Sequence, residues 1–451
     1  TGTTVMMVVD AQGNIVTSVL VHILSNDPDR EGAKLAIPMV AAGKHGGIAL
    51  RANGDVYTWG VTAYSGSSLL NGQEPNLVPQ KVENIRTYTY NATTKLIEEQ
   101  PGLLSDIVYV AAGESHFVAV GRDGKVYTWG DNAYGQLGVY AVDPVKEKEI
   151  VYNWDRNDNH LIETVYDLDF NYRNTSSAQP IDVTSFLIAR KQYADVLNEE
   201  RRSNVGTGNR DSYPEEIVTV LPECGIVAAA AGDRHTLLLA SDGTVWSFGD
   251  NRDSQLGAGD SIAHYSGAVH VLKGAGTSRT EMQADGRDGK YLTDIIQITA
   301  DGNSSTALRS DGTVWTWGGN ASGQLAMEST GGARVPVQAE KAMEGDPGFY
   351  LNNIFQVAAG NEFVLAAGRR TVEINSQPAA VESVAYGWGK NDRGQLGTGD
   401  LTPPTTRTPY LVTNATGNGP LTDVRQVSGG ANHGLAIVKD NDTGNDRYPQ
   451  D

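Results

Sequence analysis

The chain has one cysteine, no long hydrophobic run and few basic residues. Cys224 alone cannot form an internal disulfide or a zinc site built from several cysteines. No segment reaches the roughly 18–20 consecutive apolar residues that a membrane-spanning helix needs. No basic segment followed by an apolar one marks a signal peptide, and the first residue is Thr1 rather than Met, which suggests a processed or trimmed N-terminus.

The shortage of basic residues bears on partners. Lys and Arg total 35 against 54 Asp and Glu, for a net charge of −19. Nucleic-acid binding needs basic surface, so we expect no nucleic-acid partner. An acidic chain with little cysteine and much Asn, Thr, Gly and Asp is typical of secreted or cell-surface prokaryotic proteins, and we expect that location. Cys224 precedes an apolar run at 225–231, which predicts a buried structural thiol.

Glycine, by contrast, is abundant, with 52 residues, and it recurs in a repeated phrase. VYTWGDNAYGQLG at 126–138 follows a second phrase, VAAGESHFVAVGRDG, at 110–124. Together they indicate a unit of four short strands with an Asp-Gly turn between the second and third. Relatives of the first phrase lie at 56–60, 245–257, 314–326 and 385–397, and relatives of the second at 40–54, 228–243, 298–312, 357–368 and 427–440.

These phrases resemble the repeat of the regulator-of-chromosome-condensation family, which has a Gly-x-x-His half followed by DGxVyxWGxNxxGQLG. The resemblance implies an all-β, seven-bladed β-propeller in a single domain. The last unit stops after two strands, and the N-terminus has two spare strands, so we expect a composite closing blade that removes open sheet edges. The predicted blades are 35–83, 104–152, 161–220, 221–273, 292–339, 351–412, and 421–440 combined with 4–23.

The unit at 161–220 is the weakest. Regular spacing of the Leu residues that begin each unit favours a worn blade, with 185–190 and 193–197 as its second and third strands. The competing interpretation is an amphipathic helix with Val183, Leu187, Ala194 and Leu197 facing inward, or one large insertion.

The recurring aromatic and histidine positions invite a functional interpretation. We expect instead that the aromatic residues pack between blades, because each occurs once per unit. The His position also admits Ser305 and Phe363, which a metal or proton-transfer site would not tolerate. We therefore expect His116, His235 and His433 to be structural. The recurring aromatic residues are Trp59, Trp129, Phe248, Trp317 and Trp388.

No catalytic motif is present, so we expect that the protein is not an enzyme and needs no cofactor. The alternative is a hidden carboxylate pair that acts on polysaccharide. The metal candidate is a calcium loop at Asp440, Asp442 and Asp446, to which the segment 155–159 is similar. It matches only partly, because its glycine comes one place early and no Glu follows; the alternative is a solvated tail.

Long connections predict the binding surface. Strands alternate direction, so the turns between second and third strands share one face with the connections between blades, and most long segments belong there. We expect this loop-rich face to bind a protein or glycan partner. The alternatives are neutral loop growth and a structural subunit that self-assembles into a filament, sheath or coat. The predicted binding residues are Tyr88, Tyr90, Arg279, Arg287, Arg369 and Arg370.

Overall fold

The structure is a computed structural model. It describes residues 36–60, 76–142, 176–204, 218–260, 262–274, 291–340, 350–374 and 377–439, together with residue 174 and the short strands Gly2–Val9, Ile15–Ile23, Tyr64–Ser65, Ser68–Leu69, Glu149–Trp154, Leu161–Tyr166 and Tyr172–Arg173. Between residues 36 and 439, six of the described sheets form the main series and are named here sheets 1 to 6 in chain order; three further two-stranded pairs lie outside it.

Sheets 1 to 5 each contain four antiparallel strands in the order of the chain, sheet 2 has two further strands at its outer edge, and sheet 6 contains two strands. Sheet 1 is Met39–Ala42, Gly46–Leu50, Val56–Gly60 and Asn76–Val82; sheet 2 is Ile107–Ala112, His116–Gly121, Val126–Gly130 and Ser177–Asp182; sheet 3 is Ile226–Ala231, His235–Ala240, Val245–Asp250 and His264–His270; sheet 4 is Ile295–Asp301, Ser304–Arg309, Val314–Gly318 and Ala333–Gln338; sheet 5 is Ile354–Gly360, Phe363–Ile374, Gln377–Lys390 and Thr405–Leu411; sheet 6 is Val424–Gly429 and Gly434–Val438.

The sheets pack in chain order, and each neighbouring pair shares a hydrophobic core. Apolar residues on both faces of the inner strands fill these cores. The glycine after each recurring aromatic residue lets the chain turn back. Gly130 has φ of 111°, and a Cβ there would lie 2.4 Å from the carbonyl oxygen of Ser115. The predicted propeller architecture of stacked four-stranded sheets is confirmed.

The predicted blade at 161–220 is wrong. Its expected second and third strands form one helix, α1, at Val183–Asn204. Asp182 caps the helix, because its Oδ1 accepts a hydrogen bond from the backbone N–H of Ser185 at 2.8 Å. Val183, Leu187 and Ala194 are buried, as the helical alternative predicts. Three-residue and four-residue spacing of apolar side chains therefore outweighs the apparent regularity of the leucines.

The same error affects the preceding blade. The fourth strand of sheet 2 is Ser177–Asp182. Residues near 149–152 were expected to complete that blade, but they belong to Glu149–Trp154, which pairs with Leu161–Tyr166 in a separate hairpin. Sheet 2 also continues outward, since Asn84–Asn91 and Leu96–Leu103 form a hairpin joined to it by one parallel bridge between Ile181 and Arg86. Segment 131–176 is thus an excursion within sheet 2.

Cys224 also departs from expectation, because it is exposed. It lies in the turn before Ile226–Ala231, and its Sγ lies 4.0 Å from the carbonyl oxygen of Gly225. The burial of this segment begins at Ile226, two residues later. The thiol is therefore not a core side chain.

The two ends of the sheet series carry exposed apolar residues. Val40 in sheet 1 is 79% exposed, and Leu435 and Ile437 in sheet 6 are 62% and 58% exposed. In the described part of the chain, Gly2–Val9 and Ile15–Ile23 pair with each other. The count of seven blades and the closure by the N-terminal strands therefore stay predictions. Their motivation is that sheets 1 and 6 leave apolar faces open, whereas the sheets between these two cover theirs.

Removing residues 1–23 tests this closure. If Ile15–Ile23 adds to the edge of Gly434–Val438 in solution, its loss exposes the apolar edge, and the unfolding temperature falls. Hydrogen exchange should show that the amides of Gly434–Val438 lose protection in the shortened chain. Removing 440–451 is the control and should change neither quantity. Equal protection with and without residues 1–23 would show that the N-terminal strands do not close the ring.

Candidate binding surfaces

The repeated GQL bend joins consecutive sheets through a glutamine carbonyl. The backbone oxygen of Gln136 accepts a hydrogen bond from Thr236 Oγ1 of the next sheet at 2.8 Å. The oxygen of Gln255 accepts one from Ser305 Oγ at 2.8 Å and another from Trp317 Nε1 at 2.9 Å. Four of the five recurring aromatic residues are buried: Trp129, Phe248, Trp317 and Trp388. The prediction that they pack between blades is confirmed for these four residues.

Two of the recurring histidines belong to the same joint. His116 and His235 are 1% and 0% exposed, and their Nε2 atoms lie 2.9 Å from Thr236 Oγ1 and Ser305 Oγ. Their structural role is confirmed. One detail of the prediction is wrong: the residue of sheet 4 that shares the His position is Ser304, not Ser305. Ser304 pairs with Gly318 as His235 pairs with Gly249. Ser305 is instead the partner of the preceding histidine.

Burial of these histidines has a consequence for stability. It lowers the pKa of His116 to about 3 and that of His235 to about 4, from an ordinary value of 6.5. Because the folded values lie below the unfolded value, the unfolded chain takes up protons that the folded chain excludes. This contribution to stability is complete above pH 6.5 and is lost as the pH falls towards the folded values.

We predict that the free energy of unfolding falls between pH 6.5 and pH 5, by up to about 1.4 kcal/mol per histidine per pH unit. Burial and repulsion by Asp233 raise the pKa of Asp301 to about 6, so this carboxyl opposes the loss below pH 6. Urea denaturation of the double variant His116→Gln/His235→Gln should show a shallower decline than the parent. An equal slope in both proteins would contradict the assignment.

A cleft of about 310 Å³ opens at the centre of the face that carries the short repeated bends. This hub cleft collects the bend between first and second strands of several sheets and the bend after the third strand of sheet 3. Its lining is almost entirely polar or charged: Lys44, Glu114, Asp233, Arg234, Asp250, Arg252, Asp253, Gln255, Gly302, Asn303, Asn361 and Glu362.

Ion pairs cross one side of the hub cleft. Lys44 Nζ lies 2.7 Å from Asp233 and 3.3 Å from Glu114, so a sheet 1 residue reaches sheets 2 and 3. The backbone supports this arrangement, because the amide of Asp233 donates to the carbonyl of Gly302 in sheet 4 at 2.9 Å. These groups are partly exposed, so the pairs fix the geometry of the cleft more than they stabilise the fold.

Two arginines that line the cleft lie against one tyrosine ring. The guanidinium carbons of Arg234 and Arg252 lie 4.7 and 4.6 Å from the ring centroid of Tyr134, a geometry that allows cation–π attraction. Arg252 also binds both oxygens of Asp250, at 2.9 and 2.6 Å. The cation positions are therefore held from two sides.

The sequence interpretation missed the hub cleft. The residue after the repeated glycine varies between basic, acidic and neutral while the surrounding phrase recurs: Lys44, Glu114, Asp233, Asn303 and Asn361. A repeated phrase in which a single position varies in charge is a signal that the sequence alone can show. This signal was missed because the long connections led to a predicted binding surface on the opposite face.

On the loop-rich face, one hairpin and α1 fold together into a packed layer. This hairpin–helix layer comprises Asn84–Asn91, Leu96–Leu103 and Val183–Asn204. Tyr88 meets Phe186 edge-on with ring centroids 5.3 Å apart, and Tyr90 meets Tyr193 at 6.3 Å. The predicted binding residues Tyr88 and Tyr90 thus also hold the layer together.

The second pair of predicted residues lies in a long hairpin. Arg369 and Arg370 belong to Phe363–Ile374, which pairs with Gln377–Lys390, so the expected loop is an extension of sheet 5. Arg370 Nε lies 3.3 Å from Glu382. Arg279, Arg287 and the calcium candidates Asp440, Asp442 and Asp446 lie outside the described residues.

The outer side of α1 is accessible to solvent. Ile188 is 47% exposed, and Gln192, Asp195 and Glu199 follow it on the same side of the helix. In the described part of the chain, no helix is sufficiently long and apolar to span a membrane. Those residues also contain no group of three or more His, Cys, Asp or Glu side chains that could hold a metal ion.

Phe186 tests whether the layer is a packed unit. The side chain is 6% exposed and contacts Tyr88 and Tyr140, both at 5.3 Å between ring centroids. We expect Phe186→Ala to lower the free energy of unfolding by about 3 kcal/mol, because it leaves a cavity. Ile188→Ala on the same helix is the control and should change it by less than about 0.5 kcal/mol. Equal effects in denaturant titrations would contradict the packing.

Stacked four-stranded sheets with an interlocking repeat define a β-propeller repeat protein. Models of the Regulator of chromosome condensation (RCC1) repeat match residues 107–136, 226–255, 295–324, 311–367 and 384–437. Three of these segments begin with the first strand of sheets 2, 3 and 4. These segments of the chain are RCC1 repeats, and the fold is an RCC1-like β-propeller.

Curated relatives resemble the chain over most of its length. E3 ubiquitin-protein ligase HERC2 of Homo sapiens is 25% identical over 348 residues, 76% of this chain and 6% of that protein. Ultraviolet-B receptor UVR8 of Arabidopsis thaliana is 25% identical over 65% of this chain and 55% of that protein. Protein pim1 of Schizosaccharomyces pombe is 26% identical over 74% and 57%. The chain therefore spans less than two thirds of the length of each of these relatives.

A solved structure supports the fold. Prp20p of Saccharomyces cerevisiae superposes with a TM-score of 0.52 at 17% identity, covering 98% of this chain and 82% of that one. At this identity the likeness shows the architecture alone, and function has to be argued from the surfaces described above.

Proposed function

We propose that the chain is a non-enzymatic binding module that presents its loop-rich face to a protein or glycan partner, with a protein favoured. The solved relative Prp20p is described by its binding to Gsp1p and histones, which makes protein binding the first expectation for this fold. The observation that carries the proposal is the hairpin–helix layer. It lies outside the four-strand repeat, and Val183, Phe186 and Leu187 of α1 anchor it in the core between sheets 2 and 3.

The outer side of the layer has the character of an interface. Ile188 offers an apolar contact, and Gln192 and Asp195 surround it with polar groups, as the rim of a protein interface does. Because Phe186 and the tyrosines fix the helix from beneath, a partner would meet a preformed surface and pay little ordering cost.

The location proposed for this module is extracellular or on a prokaryotic cell surface. Its support is compositional: one cysteine, an acidic balance and many Asn, Thr, Gly and Asp residues. The net charge of −19 disfavours nucleic acid as the partner.

A second candidate function is self-assembly into a surface structure. The exposed apolar residues Val40, Leu435 and Ile437 favour it, because strands of a neighbouring copy could cover them. Sedimentation of the full chain as a monomer at every concentration would contradict this candidate.

Ile188→Asp tests the binding face. We expect the variant to lose partners that the parent captures from the surface of its native cells, because a charge enters the centre of the proposed interface. Leu401→Asp is the matched control, since Leu401 is 55% exposed on the opposite face. Capture by both variants alike, or loss in Leu401→Asp alone, would remove the loop-rich face as the binding surface.

A further inference from the structure

The hub cleft contains a glutamine amide that departs from its repeat equivalents. Gln136 Nε2 donates to Asp131 at 2.8 Å, Gln395 Nε2 to Asp392 at 3.2 Å, and Gln324 Nε2 to Asn303 at 3.5 Å. Gln255 occupies the same position in sheet 3. With the described residues its Oε1 accepts a hydrogen bond from the amide of Asp253 at 3.0 Å, but its Nε2 finds no acceptor.

Arg252 explains the difference. By position in the repeat, Asp250 corresponds to Asp131, the acceptor used by Gln136. Arg252 stands where sheet 2 has Ala133, and its guanidinium takes both oxygens of Asp250. The planar fork of arginine matches a carboxylate better than a single amide N–H does. Asp250 is therefore withdrawn from Gln255.

The free amide lies in the wall of the cleft. Gln255 is 2% exposed, yet it lines the 310 Å³ space. Its Nε2 opens to the cleft and has no acceptor among the described residues, so a ligand that brings an acceptor there can take this hydrogen bond. This donor points to a ligand with a carbonyl or comparable oxygen.

A carboxylate beside it lacks a cation. Asp253 accepts a hydrogen bond from Asn303 Nδ2 at 3.0 Å, and no Lys or Arg of the described residues lies within ion-pair distance of it. The other cleft carboxylates are engaged: Asp233 and Glu114 by Lys44, Asp250 by Arg252, and Glu362 by Lys390 at 3.1 Å. The remaining charge is negative and is held next to the free donor.

We propose that the hub cleft binds a Lys or Arg residue of a partner protein. Its cationic side chain pairs with Asp253, and a main-chain carbonyl of the same segment accepts the hydrogen bond from Gln255 Nε2. One basic residue with its two peptide groups supplies both complements, and the volume lies at the lower end of known ligand pockets, which begin at about 300 Å³. This site lies on the face opposite to the hairpin–helix layer and does not depend on the function proposed for that layer.

The probe is Nα-acetyl-arginine amide, which carries a guanidinium and two amide carbonyls. Titration followed by NMR should show saturable binding, with shifts in the side-chain amide signal of Gln255. The citrulline analogue has the same shape without the charge and should bind at least about tenfold more weakly. Asp253→Asn should weaken binding of the arginine compound to a similar degree, because it removes the charge and keeps the shape.

Asp123→Asn is the matched control. Asp123 lies in an exposed turn on the opposite face, where its Oδ1 accepts the amide of Lys125, a bond that Asn can also make. It removes the same charge from the chain and should leave binding unchanged. Asp253 is itself exposed in a bend, so both variants should fold like the parent. No saturation, equal binding of the citrulline compound, or equal effects of the two variants would overturn the proposal.

Discussion

The architecture depends on one kind of hydrogen-bond acceptor, the backbone oxygen of a glutamine in the repeated bend: Gln136, Gln255 and Gln324. It receives the hydroxyl of Thr236 or Ser305, or the indole N–H of Trp317 or Trp388, always from the next sheet. These groups are buried, so each unmade bond would leave a desolvated donor or acceptor. The aromatic rings then fill the space around the joint, and the buried histidines bind the same hydroxyls. Register between sheets is thus set by a polar joint inside an apolar core.

A joint of this kind confines variation to the two faces. At the joints, a substitution has to preserve both the hydrogen-bond donor and the packed aromatic ring. At the faces the chain can lengthen without disturbing either requirement, which is why the excursion 131–176 fits within sheet 2 and a hairpin can extend sheet 5. The hairpin–helix layer is a further case, since α1 begins directly after the last strand of sheet 2, with Asp182 as its cap.

The sequence was informative where local chemistry repeats. The aromatic position, the two buried histidines and the Asp-Gly turns predicted stacked sheets correctly, because each copy repeats the same local contacts. It was misleading at 161–220, where spacing of leucines was weighed above the helical pattern of Val183, Leu187 and Ala194. Cys224 was misplaced because an apolar run does not show where burial begins. The hub cleft could not be located from any single unit, since its residues meet only through the arrangement of five sheets.

The cleft also shows how a structural position can become available for recognition. In sheet 2, Asp131 and Gln136 satisfy each other and form part of the frame. In sheet 3 the exchange of Ala133 for Arg252 redirects the equivalent aspartate and frees the amide of Gln255, while Asp253 replaces Tyr134 and adds a charge. The main-chain joint is untouched, because the oxygen of Gln255 still receives Ser305 and Trp317. Two side-chain differences in one bend therefore convert a position whose polar groups bind each other into a polar site. The stacking that holds the sheets together is not weakened.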